Sequence, residues 1–234
     1  KYFADASKEM LGDPVRAVTT LGMLVDAPDQ DEARHALATL LMREDKNLRD
    51  LPRARRLLQQ DADKGDVGAE ALLGFSYLVE EKPEDLDRAI NWLELASTGG
   101  NYAASHLLGA LHYDGTRMPR NGKLAVSYYR KSIEQGNARG RNELAWIECT
   151  STADDLYAPD DGLAVAKQMD SGDYGGNAAV LDTIAACHAA NGEFDQALTW
   201  ERMAIATGEA ANYPRIAELR QHLDLWQHGQ ALRE

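Results

Sequence analysis

Histidine side chains are the first candidates for metal or acid–base chemistry in this sequence. Six histidines are scattered along the chain, and none forms an i, i+4 pair on one predicted helix. Neither His106 with His112 nor His222 with His228 therefore supplies the spacing of a metal site. Nothing resembles a nucleophile elbow, a phosphate-binding loop or a zincin motif. The sequence predicts no catalytic residue, no metal site and no cofactor.

The charge balance limits the classes of partner. The 234 residues include 38 acidic and 25 basic side chains, a formal net charge of −13. Nucleic-acid backbones and anionic membranes attract clustered Lys and Arg, so neither is expected to bind. An acidic surface favours a basic protein partner, or simply keeps the protein in solution. No window approaches the ~18 apolar residues of a membrane-spanning helix.

A repeated pattern reveals the elements that must position any site. Two successive stretches within 65–137 match in phase, so that Gly74 falls on Gly109 and Ala89 falls on Ala125. Self-similarity at a period of 35 to 36 residues is typical of stacked helix-turn-helix repeats. The pattern therefore predicts an all-α fold built from such repeats.

Five units and two terminal segments follow from this period. Residues 1–30 are predicted to be an N-terminal helix or a truncated repeat, and 210–234 a helix that caps the open end of the stack. The predicted units between them are 31–66, 67–101, 102–137, 138–177 and 178–209.

Small residues recur in phase through the units. One column lies on the first helices and another on the second helices, where small side chains let helix axes approach closely. Glycines at the unit ends are expected to adopt the left-handed conformation that stops a helix. The first column is Ala38, Gly74, Gly109, Ala145 and Ala185, the second is Ala54, Ala89, Ala125, Ala164 and Ala197, and the glycines are Gly65, Gly100, Gly136, Gly176 and Gly208.

The two cysteines lie on the first helices of adjacent predicted units. Cys187 aligns with Ile147 rather than with Cys149, so the two positions are close in register but not opposite. A disulfide requires Cα atoms within ~7 Å of each other. Two buried free thiols are expected, and a bridge is the alternative.

The pattern A-x-x-W-L/Y-x-x-A/S, then a glycine with a polar residue, then L-L-G-x-L/S-x-Y, resembles the Sel-1-like repeat family. The resemblance covers 31–209 and is clearest over 67–145. It implies a right-handed α-solenoid whose first helices line a concave face and which serves as an interaction scaffold. The residues that carry it are Ala89, Trp92, Leu93, Ala96, Gly100, Asn101, Leu107, Leu108, Gly109, Ala125, Tyr128, Tyr129, Gly136 and Asn137.

The register nominates positions on that concave face. If the small residue of each first helix faces the neighbouring helix, the residues three positions before it, one position after it and four positions after it are exposed. Three of them would form an aromatic stripe of the kind that anchors interfaces, or would fill gaps between helices: Phe75, Tyr113 and Trp146. The predicted partner-binding residues are His35, Met42, Phe75, Leu78, His106, Tyr113, Asn142, Trp146 and Asp182.

A second candidate surface is the long connection inside the fourth unit. Residues 151–161 include four aspartates and no residue of the repeat core. Insertions in solenoids map to loops and often to a binding face, although a tolerated surface loop would look the same. The residues nominated there are Asp154, Asp155, Tyr157, Asp160 and Asp161.

A non-enzymatic module that binds a protein on its concave face is the function these patterns favour. The resemblance implies a bacterial exported inhibitor, such as a periplasmic immunity protein against a secreted effector enzyme. An adaptor in an envelope or signalling complex, or a cytoplasmic location, is the alternative. A cell-wall hydrolase-like enzyme is the competing class, but such relatives carry a paired bridge in each repeat and this chain has two cysteines in all. The sequence does not set the oligomeric state.

Overall fold

The computed structural model describes residues 13–25, 30–43, 45, 47–169 and 177–233. These residues contain α-helices and one 3₁₀ turn and no strand, which confirms the predicted all-α fold. The chain divides into two compact units, Lys1–Pro119 and Arg120–Glu234. This boundary falls between the two helices of the third predicted repeat. Most of the predicted N-terminal segment and Gly176 lie outside the described residues.

The first unit contains six helices within the described residues. Asp13, Asp50, Asp66 and Asn101 each accept a hydrogen bond from the backbone N–H three residues later, and so satisfy a free amide at a helix start. A 3₁₀ turn at Pro83–Asp85 precedes the fifth helix. The helices are α1 (Pro14–Gly22), α2 (Asp31–Leu41), α3 (Leu51–Ala62), α4 (Val67–Leu78), α5 (Leu86–Thr98) and α6 (Tyr102–Asp114).

The second unit contains the other six helices of the described chain. Asn121 caps the first of them by accepting a hydrogen bond from Leu124 N–H at 3.2 Å. None of the helices described in either unit combines the length and the apolar character that crossing a membrane requires. The helices are α7 (Gly122–Glu134), α8 (Gly140–Thr150), α9 (Pro159–Ala166), α10 (Ala178–Ala190), α11 (Phe194–Ala210) and α12 (Ile216–Gln227).

The glycines predicted to end each unit adopt the left-handed conformation at some positions but not at Gly208. Gly100 has φ +97° and Gly136 has φ +103°, the left-handed conformation that an L side chain rarely adopts. The prediction is wrong for Gly208, which lies inside α11. A Cβ there would stand 3.0 Å from Ile216 Cδ1, so Gly208 provides space for the neighbouring helix rather than a left-handed turn.

The small residues allow close helix contacts, with one register error. A Cβ on Gly74 would lie 2.7 Å from Leu93 Cγ and 3.0 Å from the Ala89 carbonyl oxygen. In the fourth predicted unit, however, Ala164 is exposed, and the buried small residues are Gly162 and Ala166, two positions before and two positions after it. The short helix α9 is therefore rotated relative to the predicted register.

Gly74→Ala is expected to destabilise the first unit by about 1–3 kcal/mol, because the added methyl group overpacks the contact between α4 and α5. Denaturant unfolding of the full chain measures the change. Gly140→Ala is the matched control, since its Cβ would meet its nearest neighbours at an ordinary 3.4 Å. A Gly74→Ala protein as stable as the Gly140→Ala protein would contradict the close contact.

The two cysteines form a disulfide, so the expectation of two free thiols is wrong. Cys149 on α8 and Cys187 on α10 have Cα atoms 5.0 Å apart, and both side chains are fully buried. Side chains at equivalent positions of successive repeats point in the same direction, so they do not face each other. The two cysteines are offset by two residues, which is ~3 Å along the helix axis and about half a helical turn. This offset turns one side chain toward the other and favours a bridge. Gly162 leaves room for it, because a Cβ there would lie 2.4 Å from Cys149 Sγ.

Candidate functional site

An apolar cavity opens in the first unit between helices α2, α4 and α6. Its volume is about 560 Å³, and a second cavity of about 330 Å³ shares Leu72, Phe75 and Leu107 with it. We call the two together the α4 groove. The larger cavity is lined by Thr39, Met42, Arg43, Leu72, Phe75, Leu78, Val79, Glu81, Leu107, Leu111 and Arg117.

Phe75 is the exposed centre of the α4 groove. Its side chain is 45% exposed, although a phenyl ring has no polar group to place in water. Met42 and Leu78 also line the groove, but they are buried and form its wall, so the prediction that they are exposed is wrong. Residues four apart lie on the same helix face, so the position four after a buried small residue is buried with it.

Charged side chains flank the groove at one end. Arg43, Glu81 and Arg117 line the larger cavity, so this end of the groove carries two cations and one anion although the chain as a whole is acidic. Arg117 donates a hydrogen bond from Nη1 to the Leu78 carbonyl oxygen at 3.3 Å. Its Nη2 is buried and has no hydrogen-bond partner in the described part of the chain. Arg43 is exposed, so this end of the groove can bind an acceptor such as a carboxylate.

The other nominated residues of the concave face lie outside this lining. The His35 side chain is half-buried, with Nε2 3.6 Å from an Asp66 carboxylate oxygen. His106, Tyr113 and Asn142 are half-buried and do not line either cavity of the α4 groove. Of the nominated positions, the groove thus brings together Met42, Phe75 and Leu78.

The acidic connection is held by two cations of the second unit. Lys123 Nζ lies 2.8 Å from Asp155 and lowers the pKa of that carboxyl, and Arg233 Nη2 lies 3.5 Å from Asp154. The Arg233 guanidinium also stacks 3.7 Å above the Tyr157 ring. Asp160 and Asp161 belong to the first turn of α9 rather than to a loop, where negative charge suits the helix dipole. Much of the charge is thus matched within the chain.

A buried cluster in the second unit contains the nominated Asp182. Its carboxylate oxygen lies 2.8 Å from His222 Nδ1, and Glu201 completes the group. One ligand-type atom from each of the three side chains lies within 4.8 Å of the others. The prediction that Asp182 is exposed is wrong, because α12 lies against α10 and brings His222 over it. We call these three residues the DEH cluster.

The environment of the DEH cluster is apolar and poor in hydrogen bonds. Glu201 is fully buried, and neither of its carboxyl oxygens accepts a hydrogen bond from the described residues. Burial, and then the charge of the neighbouring Asp182 carboxylate and a hydrogen bond from the protonated Glu201 to it, raises the pKa of Glu201 to about 9. The rings of Trp146 and Trp226 have centroids 6.0 and 5.8 Å from that of His222. Trp146 thus packs inside the second unit rather than standing free in a groove.

Sequence reasoning missed the DEH cluster because its members come from three helices and lie up to 40 residues apart. One signal was present in the sequence. Ala197, Ala204 and Gly208 form the buried stripe of α11, and Glu201 occupies the same stripe at helical spacing. A carboxyl group on the apolar face of a helix indicates a partner on another element.

Comparison with known proteins identifies the repeat. The family model for the Sel1 repeat matches residues 68–101 and 103–137. A Sel1 repeat protein from Oxalobacter formigenes superposes with a TM-score of 0.61 at 22% identity, over 82% of this chain and 79% of that chain. A protective antigen of uropathogenic Escherichia coli with an SLR fold superposes with a TM-score of 0.67 at 19% identity, over 94% of this chain and 46% of that one. These likenesses confirm the α-solenoid fold class.

Two curated mammalian proteins are similar over part of this chain. Both are named DAP3-binding cell death enhancer 1. The mouse protein is 32% identical over 111 residues, or 47% of this chain, and the rat protein 34% identical over 92 residues, or 39%. The chain covers 22% and 18% of their lengths, about a fifth of each relative.

Proposed function

Because this chain belongs to the Sel1-like repeat family, we propose that it is a binding module whose α4 groove holds an apolar segment of another protein. Sel1 repeats generally mediate protein–protein interaction and are generally non-catalytic. The single observation that carries the proposal is Phe75, a large apolar ring left half in solvent at the meeting point of two apolar cavities. Aromatic side chains in such positions dominate the energy of many interfaces.

The charges at the groove define the segment that fits. An apolar side chain would cover Phe75, and a neighbouring carboxylate would reach the exposed guanidinium of Arg43 at the end of the groove. Charge-assisted hydrogen bonds from a guanidinium to a carboxylate are stronger than neutral ones and fix the register of the bound chain. A basic partner, expected from the net charge of −13, would bind elsewhere on the surface.

Phe75→Ala is expected to abolish capture of the partner while the protein remains folded, because the ring is exposed and supports little of the core. Loss of a central aromatic anchor costs about 2 kcal/mol or more, a weakening of roughly 30-fold or more. Pull-down from native lysate, followed by affinity measurement with the recovered partner, gives the readout. Helicity and the thermal midpoint of the variant establish that it is folded.

Leu95→Ala is the matched control for this experiment. Leu95 is an apolar side chain of the same unit, 52% exposed, and it does not line the groove. The control should retain the partner at full strength. Equal capture by wild type, the Phe75→Ala variant and the Leu95→Ala variant would place the binding surface elsewhere and refute the groove.

The finer role we propose is an exported inhibitor, such as an immunity protein that neutralises a secreted effector enzyme. The Cys149–Cys187 bridge supports export, since disulfides persist in oxidising compartments such as the periplasm and are rare in the cytosol. The partner recovered through the α4 groove should then be an enzyme whose activity falls as this protein is added. A recovered partner with no activity to inhibit would favour the adaptor role. That role is also suggested by the mammalian relatives, whose name describes them as DAP3-binding.

A further inference from the structure

The DEH cluster places three metal-ligating side chains together in the interior of the second unit. Asp182, Glu201 and His222 come from α10, α11 and α12 and are each at least nine-tenths buried, with exposures of 6%, 0% and 8%. Their ligand-type atoms lie within 4.8 Å of one another. Two ligands of one zinc ion lie roughly 4.4 Å apart at most, since each stands 2.0–2.2 Å from the metal. Small side-chain rotations therefore suffice to bring the three onto one ion.

The Glu201 carboxyl group, to which no side chain or backbone group of the described residues donates a hydrogen bond, is the second, independent observation. Asp182 pairs with His222 Nδ1 at 2.8 Å, whereas neither oxygen of Glu201 accepts a hydrogen bond from the described residues. A buried polar group without a partner is costly, and a carboxyl group in an alanine stripe serves no packing purpose. Arg215 and Glu218, at the rim, pair with each other at 2.7 Å, so this arginine does not hydrogen-bond the buried carboxyl group.

Charge balance indicates the kind of ligand. A divalent cation that displaced the proton of Glu201 would cancel the two negative charges of the Asp182 and Glu201 carboxylates beside a neutral imidazole. Imidazole together with carboxylate suits zinc and its transition-metal neighbours, whereas magnesium and calcium prefer oxygen ligands alone. The nearby Trp146 and Trp226 rings limit access of water, which strengthens any ion–ligand attraction there.

We propose that Asp182, Glu201 and His222 form a binding site for a divalent transition-metal ion of the zinc class, which joins α10, α11 and α12. The bound ion would act as a structural staple at the C-terminal end of the repeat array, where α12 covers the last helix pair. It would also balance the charge of the Glu201 carboxylate, which otherwise lies beside a second buried carboxyl group.

Zinc itself is the probe for the test. The full chain is stripped with chelator, loaded with Zn²⁺ either in the native state or during refolding from denaturant, desalted, and analysed for metal content. We expect about one zinc ion per chain and a higher thermal midpoint than for the stripped protein. Loading with Co²⁺ should add visible absorption bands and quench tryptophan fluorescence, because Trp146 and Trp226 flank the site.

Three variants separate this site from adventitious binding. Glu201→Gln and His222→Gln should each lose the retained zinc and the thermal shift. His228→Gln, which removes an exposed histidine of the same C-terminal region, should keep both. Glu201→Gln preserves the size of the side chain and needs no charge in the core, so it tests the site even if the His222 variant does not fold. The proposal would be overturned if the wild-type protein retained no zinc after loading in the native state or during refolding. It would also be overturned if the Glu201→Gln protein retained as much zinc as the wild-type protein.

Discussion

Loss of the Cys149–Cys187 bridge is expected to lower the free energy of unfolding of the second unit by about 4 kcal/mol. The bridge joins residues 38 positions apart, and opening a loop of this length returns that much conformational freedom to the unfolded chain in the chain-entropy account. A loss of this size is a large fraction of the total stability of a typical domain. The second unit should therefore be much less stable in a reducing environment.

Tryptophan fluorescence allows this unit to be observed alone. Three of the four tryptophans, Trp146, Trp200 and Trp226, lie in the second unit, and Trp92 lies in the first. Denaturant unfolding of a Trp92→Phe protein therefore reports only the second unit. The measurement compares this protein under oxidising and reducing conditions, and the midpoint should fall on reduction.

A cysteine-free protein provides the control. With Cys149 and Cys187 both replaced by alanine, reductant should have no effect, and the stability should be close to that of the reduced wild type. If reductant leaves the wild-type midpoint unchanged although thiol titration shows two free thiols, the bridge is not a major stabilising element. The support that it lends to export would then be withdrawn as well.

The repeat was predictable because its signals are local and recur. Helix caps such as Asp66 and Asn101, and the left-handed Gly100, are set by residues within a turn of each other, so sequence spacing alone identifies them. Close packing at Gly74 was predictable for the same reason, since its partner helix follows directly in the chain. In α9 the pattern failed, because eight residues give too little periodic sequence to fix which face is buried.

The residues of the candidate sites were likewise predictable only where local spacing along a repeat helix determines their exposure. Phe75 was identified by counting one residue from Gly74, because an adjacent position on a helix points about 100° away from the buried face. Met42 and Leu78 were misassigned as exposed, since four residues return almost to that same face. The DEH cluster depends on where α12 packs, and no repeat period describes a terminal helix that occurs once.

Asp61→Asn is expected to destabilise the first unit by about 3 kcal/mol, because it removes the buried carboxylate that faces a buried guanidinium and leaves that guanidinium only the exposed Asp31 as counter-ion. Arg34 and Asp61 are 6% and 1% exposed, and the guanidinium donates two hydrogen bonds to the carboxylate, at 2.7 and 2.9 Å. The same guanidinium reaches the Val25 carbonyl oxygen and Asp31. The pair thus connects the start of α2 to the end of α3, and its loss should loosen both.

The pair also predicts an acid-sensitive first unit. Burial alone would raise the pKa of Asp61, but hydrogen bonds from Arg34 and Lys64 outweigh it and hold that pKa below its ordinary value of 3.8. A carboxyl group whose pKa is lower in the folded than in the unfolded state stabilises the fold at pH values above its unfolded-state pKa. That stability is lost as the pH falls through the folded-state pKa. The protection of α2 and α3 peptides against hydrogen exchange, taken relative to the intrinsic exchange rate at each pH, should therefore fall below about pH 4 in wild type. The Asp61→Asn protein should lack this step.

Two controls show whether charge pairing is the cause. Asp63→Asn changes an exposed carboxylate just beyond α3 that accepts a hydrogen bond from Gln59, and its effect should stay within about 0.5 kcal/mol. A double replacement of Arg34 and Asp61 by leucine removes both charges together, and should recover most of the stability lost in Asp61→Asn, because apolar residues of similar volume often replace a buried ion pair without loss. If the double variant is instead less stable than Asp61→Asn, the hydrogen bonds from Arg34 to Val25 and Asp31, rather than the unpaired charge, dominate at this site.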